Sequence, residues 1–227
     1  MKNFILIGHR GACYYEPENS LRSFKRALKL KCKYLECDVR LTRDKEVVIM
    51  HDNKLDRTTN EKGRIKYFTL NELKKFYLDK KEKIPTLQEL IDLAENKASL
   101  VIELKDCKGI AEKTLEIIKK NKIEDKVIIA SFYSSYLKKV KSINSKIKTA
   151  LLSFKPFLLI RRAKRCRADL IGIYYKFLKK DFIDNVHKNN LKVFAYESAK
   201  ENLDSKKIKG LIKFGLDGIV LNKPILH

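Results

Sequence analysis

The sequence FILIGHRG, residues 4–11, ends a short apolar run with a histidine and an arginine. The same arrangement returns at 34–39, YLECDV, where Glu36 and Asp38 alternate with other residues, and at 47–52, VVIMHD, where His51 follows the run. Polar side chains rarely interrupt apolar strands without a reason, and two of the four histidines of the chain lie in these places. The pattern indicates short strands whose ends carry a metal-assisted acid/base site.

Apolar runs of four to six residues recur with helical stretches between them, which is typical of a parallel sheet built from strand–helix–strand units. The eight principal predicted strands are Phe4–Gly8, Tyr34–Val39, Leu100–Leu104, Val127–Ser131, Lys148–Leu152, Leu170–Tyr174, Lys192–Tyr196 and Gly218–Leu221. The predicted helices are Leu21–Lys31, Leu87–Asn96, Ile110–Asn121, Tyr136–Ser142, Phe157–Cys166, Asp181–Asn190 and Leu203–Phe214. This alternation predicts an α/β fold, a (β/α)8 TIM barrel formed by one domain over residues 1–227. A small insertion at about 52–84, after the second strand, is expected to cover one mouth of the barrel.

A ninth apolar run, Val47–Met50, is separated from Val39 by only seven residues, too few for a parallel crossover. We therefore predict a hairpin with its turn around residues 43–45, in which the numbers of paired residues sum to about 87. That register places His51 beside Glu36.

Length and composition exclude several classes of protein. A chain of 227 residues with 44% hydrophobic residues can bury a core, and no apolar run reaches the eighteen residues that a membrane span needs. The apolar stretch near the start is too short for a signal peptide. The five cysteines form no C-x-x-C pair and leave an odd one over, so we expect reduced thiols, no zinc and a cytoplasmic location. Cys37 should face away from Glu36 and Asp38, under a helix.

The net charge of +23 favours anionic partners such as nucleic acid, acidic lipid surfaces or phosphorylated metabolites. The excess is mostly lysine scattered along the chain, and a generally solvated surface is the simpler interpretation. The sequence has no basic helix with base-reading residues, no arginine-rich segment and no ladder of exposed aromatic residues. Nucleic-acid binding is therefore kept only as an alternative of a different class.

Three carboxylates are expected to meet at one mouth of the barrel. Catalytic groups of such barrels lie at the carboxyl ends of the strands, where the second strand carries Glu36 and Asp38 and the third carries Glu103. Residues two apart on a strand share a face, so these side chains can point into the same mouth. They would repel one another without a cation among them, and their hard oxygen ligands suit Mg²⁺ or Ca²⁺.

The same mouth should gather groups that act on a phosphoryl centre. A divalent ion together with Lys105 or Arg10 can bind and polarise a phosphoryl oxygen. His9 and His51, with pKa values near neutrality, can take and give protons in one turnover. The combination predicts the cleavage of a phosphodiester.

A set of motifs spread over nearly the whole chain closely resembles the glycerophosphodiester phosphodiesterase family. The motifs are GHRG at 8–11, PENS at 17–20, ECDV at 36–39, TRD at 42–44, VIMHD at 48–52, LDRTT at 55–59, IPTLQE at 84–89, IELK at 102–105, SF at 131–132 and GLDGI at 215–219. The N-terminal motifs are highly specific as a set. The resemblance implies a barrel of the phosphatidylinositol phospholipase C-like phosphodiesterase type. It also implies hydrolysis of glycerophosphodiesters to an alcohol and glycerol 3-phosphate, in lipid and glycerol phosphate metabolism.

The resemblance also implies roles for eight residues. By position these are Glu36, Asp38 and Glu103 for the metal, His9 and His51 for acid/base catalysis, Arg10 and Lys105 for the phosphate, and Glu18 as an orienting or metal-proximal group. In related phosphodiesterases a neighbouring glycerol hydroxyl first attacks phosphorus, and water then opens the cyclic phosphate. On that scheme His9 is the base and His51 the acid.

Two departures from the family pattern concern substrate choice. The chain has Tyr196–Ala199 where the family usually has Trp-Thr-Val-Asn, and Asn222 where an aspartate is usual; both positions are expected at the pocket or its mouth. The alternative substrate is a lysophospholipid, cleaved by a lysophospholipase D activity, for which Phe68, Phe76 and Tyr77 could supply an apolar surface. The sequence leaves the head group, the metal and the oligomeric state open.

Overall fold

A computed structural model describes residues 4–105 and 107–225 of the chain. Its strands are β1 (Ile5–Gly8), β2 (Tyr34–Leu41), β3 (Val47–Ile49), β4 (Ser99–Leu104), β5 (Val127–Ser131), β6 (Lys148–Ser153), β7 (Leu170–Tyr174), β8 (Lys192–Tyr196) and β9 (Gly218–Leu221). Its α-helices are α1 (Leu21–Lys29), α2 (Leu70–Leu73), α3 (Leu87–Ala94), α4 (Ile110–Asn121), α5 (Ser134–Ile143), α6 (Leu159–Arg165), α7 (Lys180–Lys188) and α8 (Ser205–Lys213). All strands except β3 pair in parallel, in the order β1-β2-β4-β5-β6-β7-β8-β9, and β9 pairs back onto β1. The predicted (β/α)8 barrel is confirmed.

Alternate residues of each strand point to two separate cores. Leu35, Cys37 and Val39 of β2 belong to the large core between strands and helices, as predicted for Cys37. The barrel interior is filled by residues of the other parity, which are Ile7, Val101, Ile128, Ala130, Ala150, Leu152, Leu170, Phe194 and Val220. The side chains of Glu36 and Asp38 also point into the barrel, so these carboxylates lie above the layer of apolar side chains that fills the barrel interior.

Local capping explains why the helices begin where they do. Ser20 caps α1, and its hydroxyl accepts a hydrogen bond from the backbone of Ser23. Thr86 and Glu89 form a reciprocal capping box at the start of α3. Each cap fixes the chain as it leaves a loop near the carboxyl edge of the barrel.

Strands β2 and β3 form the predicted hairpin, but the register differs by one residue. Val39 pairs with Ile49 and Leu41 with Val47, so the paired numbers sum to 88. The turn closes through Thr42, whose backbone donates to the carbonyl of Glu46, and its three residues are the predicted 43–45. His51 therefore does not lie opposite Glu36 in the ladder; it follows the last pair, and its side chain reaches the same cavity as Glu36.

The insertion builds a small core of its own. Its buried residues Leu55, Ile65, Leu73, Leu78 and Ile84 pack with Val48 of β3 and with Met50. The helix α2 within it was not predicted. No residue of 52–84 lines the cavity at the barrel mouth, so the insertion lies beside the mouth and does not cover it. Within the described residues, no helix has the length and apolar character that crossing a membrane requires.

Candidate active site

The loop after β1 is folded tightly enough to turn Arg10 into the barrel mouth. A Cβ on Gly8 would lie 2.4 Å from the carbonyl oxygen of Gly11. Gly11 has a φ of +88°, and a Cβ there would lie 2.5 Å from the hydroxyl oxygen of Ser23. Arg10 has a φ of 48°, which is rare for a residue with a side chain. Its backbone N–H donates to Glu36 Oε2 at 2.8 Å. The backbone conformation of the motif at 8–11 thus allows the loop after β1 to bind Glu36 of β2.

Glu36, Asp38 and Glu103 are buried and can each present an oxygen within 4.8 Å of the other two. Burial raises the pKa of Glu36 well above its usual range, and the charges of Asp38 and Glu103 act in the same direction. Burial also raises the pKa of Glu103 to about 7, although the ammonium of Lys105 opposes it. Three hard oxygen donors that repel one another in a small space fit a divalent cation such as Mg²⁺ or Ca²⁺.

Two cations lie against this cluster. Lys105 Nζ is 2.9 Å from Asp38 Oδ1 and 2.5 Å from Glu103 Oε1. Arg10 Nε is 3.3 Å from Asp38 Oδ2, but the atom makes no hydrogen bond. Burial alone would raise the pKa of Asp38, yet the charges of Lys105 and Arg10 hold it well below its ordinary value. Asp38 therefore stays ionised between these two cations.

Asn19 is an additional partner of Asp38 to which the sequence assigned no role in the site. Its Nδ2 donates to Asp38 Oδ2 at 2.8 Å, and it adopts a φ of 59° to do so. Asparagine tolerates this left-handed conformation better than most residues. The amide therefore orients the carboxylate, while Ser20 caps α1.

His9 is held by Asn222, which lies 213 residues further along the chain. The two side chains meet at 2.6 Å through His9 Nδ1 and Asn222 Oδ1. Asn222 Nδ2 donates to the carbonyl oxygens of Ser198 and Glu201 at 2.7 and 2.6 Å, so its oxygen must face the ring. His9 Nδ1 therefore carries the proton, and Nε2 is the free nitrogen. Burial, with the charge of Arg10, lowers the pKa of His9 to about 4.

The second histidine has a carboxylate partner. His51 Nδ1 lies 2.7 Å from Asp52 Oδ1. Arg57 binds Asp52 at 2.6 Å and Glu18 at 2.7 Å. Burial lowers the pKa of His51, although Asp38 and Asp52 both act to raise it.

Glu18 completes a chain of ion pairs between the two histidine loops. It binds Arg10 at 2.8 Å as well as Arg57. Its carboxylate lies outside the group of three that could hold a metal ion. The structure thus gives Glu18 contacts that orient Arg10.

A cavity of about 350 Å³ opens at this mouth, and its two halves differ in chemistry. The half formed by β1, β2, β4 and the loop after β3 contains the polar groups His9, Arg10, Glu36, His51, Glu103 and Lys105. The half formed by β5 to β8 is lined by Phe132, Phe154, Tyr174, Phe194 and Tyr196. A polar molecule with an apolar or aromatic end would match this division.

Two sequence expectations about substrate choice are wrong in part. Asn222 is buried behind His9 and does not lie at the pocket mouth, whereas Tyr196–Ala199 does line the cavity. Phe68 and Phe76 pack against each other in the insertion, and neither they nor Tyr77 lines the cavity. The apolar wall comes instead from strands β5 to β8, each of which contributes one or two rings.

Comparison with known proteins gives a consistent result. Residues 9–226 match the glycerophosphoryl diester phosphodiesterase family. A glycerophosphodiester phosphodiesterase of Caldanaerobacter subterraneus is 35% identical over 237 residues, 97% of this chain and 94% of the relative. One of Bacillus subtilis is 30% identical over 98% of this chain and 84% of its own length.

Among solved structures, an Oleispira antarctica phosphodiesterase in complex with the product sn-glycerol-3-phosphate superposes with a TM-score of 0.90 at 28% identity, over 98% of this chain and 94% of that chain. The family match covers nearly the whole barrel, including every strand end that carries a polar group of the cavity. The chain therefore belongs to the glycerophosphoryl diester phosphodiesterase family.

Proposed function

We propose that this protein hydrolyses glycerophosphodiesters to an alcohol and glycerol 3-phosphate, in lipid and glycerol phosphate metabolism, with the help of Mg²⁺ or Ca²⁺. The observation that carries the proposal is one cavity lined by two histidines, two cations and carboxylates that could hold a metal ion. The named activities of the relatives and the product bound to the Oleispira antarctica enzyme support the same substrate class.

Glu36, Asp38 and Glu103 would hold the metal, which when bound polarises a phosphoryl oxygen and stabilises negative charge that develops on it. Arg10 and Lys105 flank the three carboxylates and would contact the phosphate. Arg10 lines the cavity, and its guanidinium can donate to a phosphoryl oxygen. Lys105 has a pKa raised above its ordinary value by Asp38 and Glu103, against the effect of burial, so it remains a cation at neutral pH.

His9 is the better general base. Its Nε2 is unprotonated because Asn222 fixes the proton on Nδ1, and its pKa of about 4 keeps the ring neutral at pH 7. In the first step it would accept the proton of the glycerol hydroxyl that attacks phosphorus. Because the ring is already neutral at pH 7, it need not lose a proton before it acts as a base. Its low pKa also makes it a weaker base than a histidine of ordinary pKa.

His51 is the better general acid. Its hydrogen bond to Asp52 favours the protonated ring, against the burial that lowers its pKa overall. Its side chain is 36% exposed, so solvent can return the proton. It would protonate the oxygen of the departing alcohol. In the second step water opens the cyclic phosphate with the two roles reversed.

The proposal includes a small-molecule partner and a cytoplasmic location. All five cysteines are unpaired, which agrees with a reducing compartment. A single-chain lipid remains the second candidate substrate, because the aromatic half of the cavity offers an apolar surface.

The experiment is a substrate and metal panel. Purified protein is incubated with glycerophosphocholine, glycerophosphoethanolamine and lysophosphatidylcholine, with Mg²⁺, Ca²⁺ or chelator, and the products are identified by mass. We expect glycerol 3-phosphate from the diesters only when a divalent cation is present. Glu103→Gln should abolish turnover, whereas Glu95→Gln, at an exposed site, should not change it. Full turnover after exhaustive chelation would refute the metal assignment.

A further inference from the structure

The aromatic half of the cavity continues outward as a connected set of rings. Phe132 stacks on Phe154 at 4.9 Å, Phe154 meets Tyr196 at 6.3 Å, Tyr196 meets Tyr174 at 6.0 Å, and Tyr174 meets Phe177 at 6.3 Å. We call these five residues the aromatic rim. They lie at the carboxyl ends of β5 to β8 or in the loops that follow, so the rim borders half of the mouth.

The loop 154–158, which begins at Phe154 of the rim, carries apolar side chains that are exposed to solvent. Phe154, Phe157 and Leu158 are 62%, 77% and 50% exposed. Leu158 also has a φ of 50°, an unusual conformation for a leucine. Exposed apolar residues are ordinary when they are scattered, but a contiguous patch beside a binding site indicates an interaction surface.

The surroundings of this loop are strongly basic. From Lys126 to Ala168 the sequence has twelve lysine or arginine residues and no aspartate or glutamate. Lys155 lies inside the loop, and α6, which begins directly after it, presents Arg161, Lys164 and Arg165 to solvent. Among the described residues, no carboxylate forms an ion pair with any of these four cations. In the neighbouring loop after β8, Glu201 is already paired with Lys176 at 2.7 Å, and Glu197 is buried.

We propose that the loop 154–158 and the basic face of α6 dock the barrel mouth onto an anionic phospholipid surface. Apolar side chains at the tip would enter the boundary between head groups and acyl chains, and the flanking cations would contact the lipid phosphates. The apolar tip with flanking positive charge favours a lipid surface over a nucleic acid, because a nucleic acid offers no apolar layer that Phe157 and Leu158 together could enter.

Docking in this orientation would bring the rim to the lipid boundary. A lipid with one acyl chain could then place its glycerophosphodiester group against the polar half of the cavity while its chain lies along the rim. This consequence rests on the proposed function, and it names lysophospholipids as a surface-supplied substrate class. The docking itself depends only on the loop and on α6.

The test measures co-sedimentation of the full chain with vesicles, without substrate. We expect binding to vesicles of equal parts phosphatidylglycerol and phosphatidylcholine, weaker binding at raised salt, and little binding to pure phosphatidylcholine. Phe157→Ser should weaken binding to the anionic vesicles about tenfold, because insertion of a phenylalanine contributes at least that factor. Arg161→Gln, in the first turn of α6, should weaken it about fivefold.

Matched controls lie at the opposite end of the barrel. Ile143→Ser removes a 49% exposed apolar side chain from the far end of α5, and Lys146→Gln removes an exposed charge from the same acid-free stretch. Both should bind vesicles as the wild type does. The proposal is wrong if the wild type ignores anionic vesicles, or if the controls lose as much binding as Phe157→Ser. It is equally wrong if Phe157→Ser dissociates a dimer and leaves vesicle binding unchanged, which would assign the patch to a second copy of the chain.

Turnover of glycerophosphocholine in vesicle-free buffer separates this proposal from the previous one. None of the substituted residues lines the cavity, so all variants should keep the wild-type rate there. Loss of vesicle binding with that rate intact assigns the loop to docking. A wild type that binds vesicles but hydrolyses no diester with any metal would refute the proposed function and leave the docking surface standing.

Discussion

Asn222→Asp tests whether the stability of the folded protein depends on a neutral amide behind His9. The side chain is 1% exposed and makes contacts on both ends. Its oxygen accepts from His9 at 2.6 Å, and its Nδ2 donates to Ser198 and Glu201 at 2.7 and 2.6 Å. An aspartate has the same shape but would turn an acceptor oxygen toward two carbonyl oxygens.

The magnitude follows from two opposing effects. Leaving the new oxygen buried and unpaired costs about 1–3 kcal/mol. A carboxylate beside a protonated His9 would gain about 4 kcal/mol at about 4 Å, with an effective dielectric of about 20. Protonating His9 at pH 7 costs about 4 kcal/mol, however, because its pKa is about 4 and each pKa unit corresponds to about 1.4 kcal/mol. The gain and this cost cancel, so the variant should lose about 1–3 kcal/mol of unfolding free energy.

The loss should depend on pH in a defined direction. Burial and the two carbonyl oxygens disfavour the ionised form, so the folded-state pKa of the new carboxyl lies above its unfolded value of about 3.9. The folded variant then binds more protons than its unfolded chain between those two pKa values. Its deficit relative to the wild type should therefore be largest at neutral pH and should shrink as the pH falls toward 4.

The assay is urea unfolding at pH 7 and at pH 5, with the slope of the transition checked for constancy. Asn185→Asp is the matched control, because it makes the same substitution at an exposed position on α7 and should change stability by less than about 0.5 kcal/mol. A variant as stable as the wild type at pH 7, or a deficit that grows on acidification, would refute the reasoning.

Mg²⁺ or Ca²⁺ should raise the melting temperature by relieving repulsion among the three buried carboxylates, and Asp38→Asn should remove most of that shift in a thermal scan. A cation-independent melting temperature would argue against the metal site. His51→Ala and His9→Ala should each lower kcat by about 10² to 10⁴ without changing the unfolding midpoint; near-wild-type kcat in either variant would make that histidine structural. If surface charge steers the substrate, wild-type kcat/KM should fall as salt rises, because the Debye length is about 8 Å at 0.15 M. Lys105→Met should lower kcat/KM at every salt concentration, since a direct phosphate contact is screened little; a variant equal to the wild type at high salt would remove Lys105 from the phosphate site.

The sequence predicted those parts of the molecule that depend on neighbouring residues. Glu36 and Asp38 share a face because strands have a period of two, and their position at a strand end follows from the apolar run before them. The strand–helix alternation defined the barrel for the same reason. The hairpin register was missed by one residue, because Thr42 closes the turn with contacts to Glu46 that no apolar pattern records.

Contacts between distant segments could not be predicted in this way. His9 and Asn222 meet only because β9 pairs with β1 and closes the barrel. The cavity wall collects one or two aromatic residues from each of four strand ends. Phe132 and Tyr196 lay in segments that the sequence singled out, but Phe154, Tyr174 and Phe194 did not. The insertion rings Phe68 and Phe76 were more conspicuous along the chain, yet they serve a separate core.

Barrel packing also explains the chemistry assigned to the polar half. The floor beneath the carboxylates is a layer of apolar side chains, among them Val101, Ala130 and Leu152. Burial is the largest cause of the lowered pKa of His9. The same low-dielectric surroundings strengthen the pull of Lys105 and Arg10 on Asp38. Apolar residues beneath the site therefore help to determine which groups of the mouth are charged. A substitution that admitted water to this apolar layer would change the protonation of His9 or Asp38 without removing any polar group of the site.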